Sequence, residues 1–161
     1  MEERLRILAA DLDAQYEEIR KLHEAVRLKT KAVQQDPNDE SKVDSLGYKL
    51  HNLYCVYEDF FKLVADFFEN QIEEPSRYHR QLLRRMGREL QGLRPRLLSD
   101  ASYRLLDELR SFRHVFRHAY TYQLDSDLLI LLARKSSELL KLFESDYGIF
   151  RKRVLSEIVG P

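Results

Sequence analysis

The chain of 161 residues carries 27 basic and 27 acidic side chains for a net charge of zero, and 43% of it is hydrophobic, which predicts one domain with a modest core rather than two ordinary ones. Four Pro and five Gly in the whole chain exclude a turn-rich β protein and predict long helices. The single cysteine, Cys55, excludes an intrachain disulfide and suits a reducing cytosol, while no 18-residue apolar run and no basic-then-apolar leader predict a membrane span or a secretory signal.

Residues 2–34 predict one long helix. Leu5, Leu8, Leu12, Tyr16, Ile19, Leu22 and Val26 recur at three- and four-residue steps between charged residues, as a packing seam does. Gln35-Asp-Pro-Asn-Asp39 is a turn, because Pro ends a helix and Asp and Asn fold back on their own backbone. Ser41 or Asp39 can cap a second helix running to about Asn70. Its apolar line is Leu46, Leu50, Leu53, Tyr57, Phe61, Val64 and Phe68, widened by Phe60 and Phe67, so it is predicted to be the most buried helix. His51 and Cys55 lie one turn apart on it. Without a further Cys or a placed acid they predict a packed histidine beside a thiol rather than a metal site.

Glu73-Glu-Pro75 breaks the chain, and Ser76 to about Gln91 predicts a short basic helix anchored by Leu82, Leu83, Met86 and Leu90. Arg80, Arg84, Arg85 and Arg88 are expected to face out. Gly92-Leu-Arg-Pro95 ends it, and Ser99 or Asp100 caps the next helix, with Tyr103, Leu106, Leu109 and Phe112 (or Phe116) inward. Gln123-Leu-Asp-Ser126 is a loop before a long final helix carrying Leu128, Leu132, Leu139, Phe143, Tyr147, Phe150 and Val154. No strand and no internal repeat are expected. The fold class is all-α, an antiparallel up-and-down bundle of about five helices spanning residues 1–161 as a single domain.

The zero net charge hides an uneven distribution. From Arg77 to Arg117 there are eleven Arg and no Lys against four acids, Glu89, Asp100, Asp107 and Glu108. An all-arginine cluster favours phosphate, because the planar guanidinium grips two oxygens at once. A solvated basic face on ordinary helices is the alternative.

Within this stretch Arg113, His118 and Tyr120 form Arg-x4-His-x-Tyr. Together with His51-Asn-Leu-Tyr54, Glu58-Asp-Phe-Phe61, Tyr78-His-Arg-Gln-Leu-Leu83 and Phe112-Arg-His-Val-Phe-Arg-His-Ala-Tyr120, it resembles the HepT-like ribonuclease toxins of the HEPN superfamily over roughly residues 40–155. The resemblance implies a metal-independent endoribonuclease of the cytoplasm with no cofactor, and tRNA as a target. It implies a two-fold homodimer, and a nucleotidyltransferase antitoxin that attaches AMP to the tyrosine at position 120. HEPN folds also occur as non-catalytic partners of nucleotidyltransferases, so a helical module presenting a substrate to such an enzyme is the alternative. Tyr78-His79 resembles an aromatic–histidine pair of the family and is expected to be structural.

On a continuous helix Arg113, Arg117 and Tyr120 fall within about 60° of one another, whereas His118 lies about 140° from Arg113. Either the helix breaks near residues 116–120, or His118 acts with groups from another chain. In a two-fold dimer, symmetry would bring two His118 and two Arg113 to one site, with Phe112, Val115 and Phe116 sealing the interface. Cleavage without metal needs a base for the 2′-OH proton and an acid for the departing 5′-oxygen, roles that histidines suit. Arg113 would neutralise the phosphate in the transition state. His114 would orient Arg113 or bind a neighbouring phosphate, and Arg117 adds a cation. Arg80, Arg84, Arg85 and Arg88 would attract RNA. His114 and His118 have the spacing of a helical zinc pair but lack an intervening Glu and a third ligand. The bland alternatives are a helix end furnished with cations and a Tyr120 packed against Tyr122.

Overall fold

The computed structural model describes residues 1–69, 78–118 and 123–156. Within them lie five helices: α1 (Glu2–Gln35), α2 (Glu40–Phe68), α3 (Tyr78–Met86), α4 (Asp100–Arg117) and α5 (Ser126–Ser156). The helical bundle expected from the apolar periodicity is therefore present. The expected breaks at Glu73–Pro75 and the start at Ser76 lie outside the described residues.

Asp39 rather than Ser41 caps α2, its carboxylate accepting the Lys42 amide at 3.3 Å. The turn sends α2 back along α1, so that Arg4 lies over the Phe67 ring and the Gln15 amide bonds the Val56 carbonyl. Helix α5 closes the far side of α1. There Asp13 accepts from Tyr147 Oη at 2.6 Å and from Arg151 at 2.9 and 3.0 Å. Burial raises the Asp13 pKa, but these bonds outweigh it and hold the carboxyl below its ordinary value. The four long helices form a ring, α1–α2–α4–α5, and the short α3 leans on α2 and α4.

The core sits where α2 faces α5. Tyr57, Phe60 and Phe61 are fully buried beside Phe143, and Tyr57 and Phe60 meet Phe143 edge to face at centroid distances of 5.0 and 5.2 Å. Such pairs add roughly 0.5–1.5 kcal/mol beyond the area they bury. Two positions depart from the expected stripes. Leu128 is 52% exposed while Leu129 is buried, because Asp125 caps α5 through the amides of Asp127 and Leu128 and sets its phase. His23 of α1 is buried with its Nε2 2.7 Å from Tyr57 Oη.

Helix α3 is shorter than expected and stops at Met86 rather than near Gln91. The Met86 carbonyl accepts the amides of both Leu97 and Leu98, at 3.1 and 3.0 Å. This folds residues 87–99 into a tight excursion, turned at Gly92 with φ +75°. The excursion delivers Ser99 to the start of α4. The Ser99 hydroxyl accepts the Ser102 amide at 3.3 Å, and the Ser99 amide and hydroxyl both donate to Asp146 of α5 at 2.9 Å.

Candidate functional site

Helix α4 carries the motif to the outer edge of the ring, where α3 stands beside it. Leu106, Leu109 and Phe112 pin its inner face, leaving Arg113 half-buried and His114 and Arg117 exposed. The helix ends at Arg117. His118 leaves it at φ −108°, ψ 6°, its amide donating to the Val115 carbonyl at 3.2 Å. The helix thus ends inside the 116–120 stretch, the first of the two alternatives left by the helical wheel. The His118 and His114 rings pack edge on at 4.7 Å.

These residues line a cavity of about 640 Å³ between α3 and α4. From α4 come Arg110, Arg113, His114, Arg117 and His118, and from α3 come His79, Arg80, Gln81 and Arg84. Tyr120 lies outside the described residues. A larger groove of about 740 Å³ runs between α1 and α5, but three of its cations, Arg20, Lys21 and Arg27, already pair with Glu17, Glu18 and Glu24. The motif cavity is the basic one.

The arginine field divides into two groups. Arg80 and Arg84 are exposed and line the cavity as expected. Arg85 does not face out: its side chain is 26% exposed and pairs with Glu69 at 2.7 Å. Arg88 is exposed but lies off the cavity lining. Arg94 is fully buried against the same Glu69, and also donates to the carbonyls of Arg85, Arg88 and Pro95. A buried carboxylate at the C-cap of α2 thus absorbs two of the eleven arginines, which no local charge pattern could reveal because Glu69 lies outside the stretch. Phe112 and Phe116 turn inward as well. Phe112 is buried and Phe116 stacks on His51 at 5.2 Å, so of the three apolar residues assigned to an interface only Val115, 42% exposed, faces solvent.

His51 Nε2 is 3.8 Å from Cys55 Sγ, a weak contact within one helix. Burial, followed by the fields of Arg113 and Arg117, lowers the His51 pKa, which ties α2 electrostatically to the motif. Gly47, one turn before His51, explains how the two helices come so close. A Cβ there would stand 2.7 Å from a Leu124 methyl and 3.3 Å from the Phe116 ring. Both flanks of residues 119–122 therefore seat on the one α2 position that has no side chain, a role the sequence alone does not reveal.

Gln81 Oε1 and Arg113 Nε on the cavity lining, and His51 Nδ1 and Tyr54 Oη off it, are buried without hydrogen-bond partners among the described residues. An unpaired buried polar atom costs roughly 1–3 kcal/mol, so such atoms are dispersed and few unless a site collects them. Here they come from three helices around one arginine. Burial and the Glu58 carboxylate raise the Tyr54 pKa far above the ordinary phenol value, so Tyr54 keeps its proton and can only donate or accept a hydrogen bond. No group of three or more His, Cys, Asp or Glu able to hold a metal ion occurs among the described residues, and no described helix is long and apolar enough to cross a membrane. Chemically, the arrangement offers a fixed guanidinium, neighbouring imidazoles and a positive rim to an extended anion.

Residues 45–154 match the family model described as HepT-like protein. No curated protein and no solved structure matches the chain.

Proposed function

From a chain that belongs to the HepT-like family, we propose a metal-independent endoribonuclease toxin that works at the α3–α4 cavity. A nucleotidyltransferase antitoxin neutralises it by attaching AMP to Tyr120. The observation that carries this reading is the meeting of Arg113, His114, Arg117 and His118 with Arg80 and Arg84 around one cavity. Guanidinium groups there hold the phosphates on either side of the scissile bond. Arg113, half-buried on a pinned helix face, meets the charge that builds on the non-bridging oxygens in the transition state and needs no reorganisation to do so. His118 exchanges a proton with the reacting oxygens. The products are a 2′,3′-cyclic phosphate and a free 5′-hydroxyl. AMP on Tyr120 would bring negative charge to Arg113 and Arg117 and exclude the RNA phosphate. The working particle is a two-fold homodimer.

The test is cleavage of RNA in the presence of EDTA by the wild-type chain, Arg113→Ala and His118→Ala. Wild-type activity should survive chelation, and each variant should lose at least about 100-fold in rate with little change in thermal unfolding. Activity lost on chelation, or His118→Ala cleaving at the wild-type rate, overturns the chemistry. Co-expression with the nucleotidyltransferase should add multiples of one AMP to the intact mass, except in Tyr120→Phe. Native mass should show two chains per particle.

A further inference from the structure

His79 stands in the first turn of α3, outside the Arg-x4-His-x-Tyr motif, yet its ring lines the motif cavity. Its Nδ1 lies 2.6 Å from Oε2 of Glu58, an α2 residue whose side chain is only 4% exposed. The other Glu58 oxygen faces Lys62 Nζ at 3.6 Å. A buried carboxylate accepting from Nδ1–H orients an imidazole and keeps its proton on Nδ1, so that Nε2 is the basic nitrogen. Glu58 also lies below the cavity rather than on its lining, so it acts through His79 and does not touch a substrate. Arg113, His114 and His118 line the same cavity.

We propose that His79 is a second catalytic residue of the site, with Glu58 its positioning residue. This rests on the ribonuclease reading above. In the cleavage step the RNA 2′-oxygen forms a bond to phosphorus as its proton passes to His79 Nε2. The bond from phosphorus to the 5′-oxygen breaks, and that oxygen takes a proton from His118. A 2′,3′-cyclic phosphate and a 5′-hydroxyl leave, and solvent returns His79 to neutral and His118 to its protonated form. Among the described residues, Glu58 bonds His79 from α2 with Lys62 beside it, and Arg80, Arg84, Arg110, Arg113, His114, Arg117 and His118 line the cavity with it.

The experiment measures kcat and KM against pH for cleavage of a single-stranded RNA oligonucleotide by the wild-type chain, His79→Gln, His79→Ala, Glu58→Gln and His118→Ala. His79→Gln should lose about 100-fold or more in kcat, with KM within a few-fold, and added imidazole should restore part of the His79→Ala rate. Glu58→Gln should move the acidic limb of the kcat profile to lower pH, which loss of a merely structural contact would not do. Nitrogen NMR of the His79 ring supplies a readout independent of activity. It should show the Nδ1-protonated tautomer in the wild type, and a ring protonated on Nε2 would overturn the proposal even if Glu58→Gln fails to fold. Wild-type kcat in His79→Gln beside an inactive His118→Ala removes His79 from the chemistry and leaves the ribonuclease standing. A wild-type chain that cleaves no RNA removes both.

Discussion

Arg84 and Arg85 are neighbours in the chain and have opposite tasks. Arg84 is exposed on the cavity wall, while Arg85 joins the buried Arg94 in neutralising Glu69, whose side chain is 1% exposed. Each phosphate neutralised on a single strand contributes about −0.7 to the slope of log affinity against log salt. Arg84→Gln should therefore flatten the salt dependence of RNA binding by about that amount and leave unfolding unchanged. Arg85→Gln should keep the slope and lower the denaturation midpoint, because Glu69 loses a guanidinium partner. Equal slope changes in the two variants, measured by titration at several salt concentrations, would show that Arg85 also meets RNA.

At the scale of the element, α4 is held in register from its first residue. The Ser99 hydroxyl caps the helix and, with its amide, reaches Asp146 on α5. Loss of an N-cap costs about 1 kcal/mol and up to about 2. Ser99→Ala should cost at least that much here, because Asp146 loses a donor in the same step. Asp146→Ala should cost a similar amount, and the double variant less than the sum, since both remove one network. Chemical denaturation of the three variants measures the coupling, and strict additivity would mean that cap and tether act separately. The cap also bears on function. It sets the rotation of α4 that places Leu106, Leu109 and Phe112 inward and Arg113 on the cavity, and a wrong phase would bury the cations instead.

Across the whole molecule, α1 joins the bundle through a titratable group. His23 is buried against Tyr57, and burial depresses its pKa from 6.5 to about 4. The unfolded chain therefore takes up a proton near pH 6.5 that the folded chain refuses until about pH 4. Stability is fully present above pH 6.5, falls as the pH drops toward 4, and loses about 3 kcal/mol in that window. His51, also depressed by burial and by Arg113 and Arg117, adds to the loss with the same sign. His23→Gln keeps a hydrogen-bonding partner for Tyr57 and does not titrate. Urea unfolding at pH 7 and at about pH 4.5 should show the variant losing some 2–3 kcal/mol less than the wild type. Equal losses in the two chains would show that His23 is not the source.

The periodicity of apolar residues determined by itself that this chain forms helices and where four of them run, because a stripe at three- and four-residue steps has no other stable burial. The same local order held Arg113, His114, Arg117 and His118 together, as residues within six positions must stay close on one helix and its end. Local chemistry also placed the turn within Gln35–Asp39 and narrowed the cap of α4 to Ser99 or Asp100. What only the tertiary structure decided is what long-range partners do with these groups. Glu69 draws Arg85 and Arg94 out of the basic field, Gly47 admits Phe116 and Leu124, and Glu58 reaches across 21 positions to His79. Each depends on a side chain from another helix arriving within a few ångströms, and the charge or size of a residue does not say which partner the packing will bring.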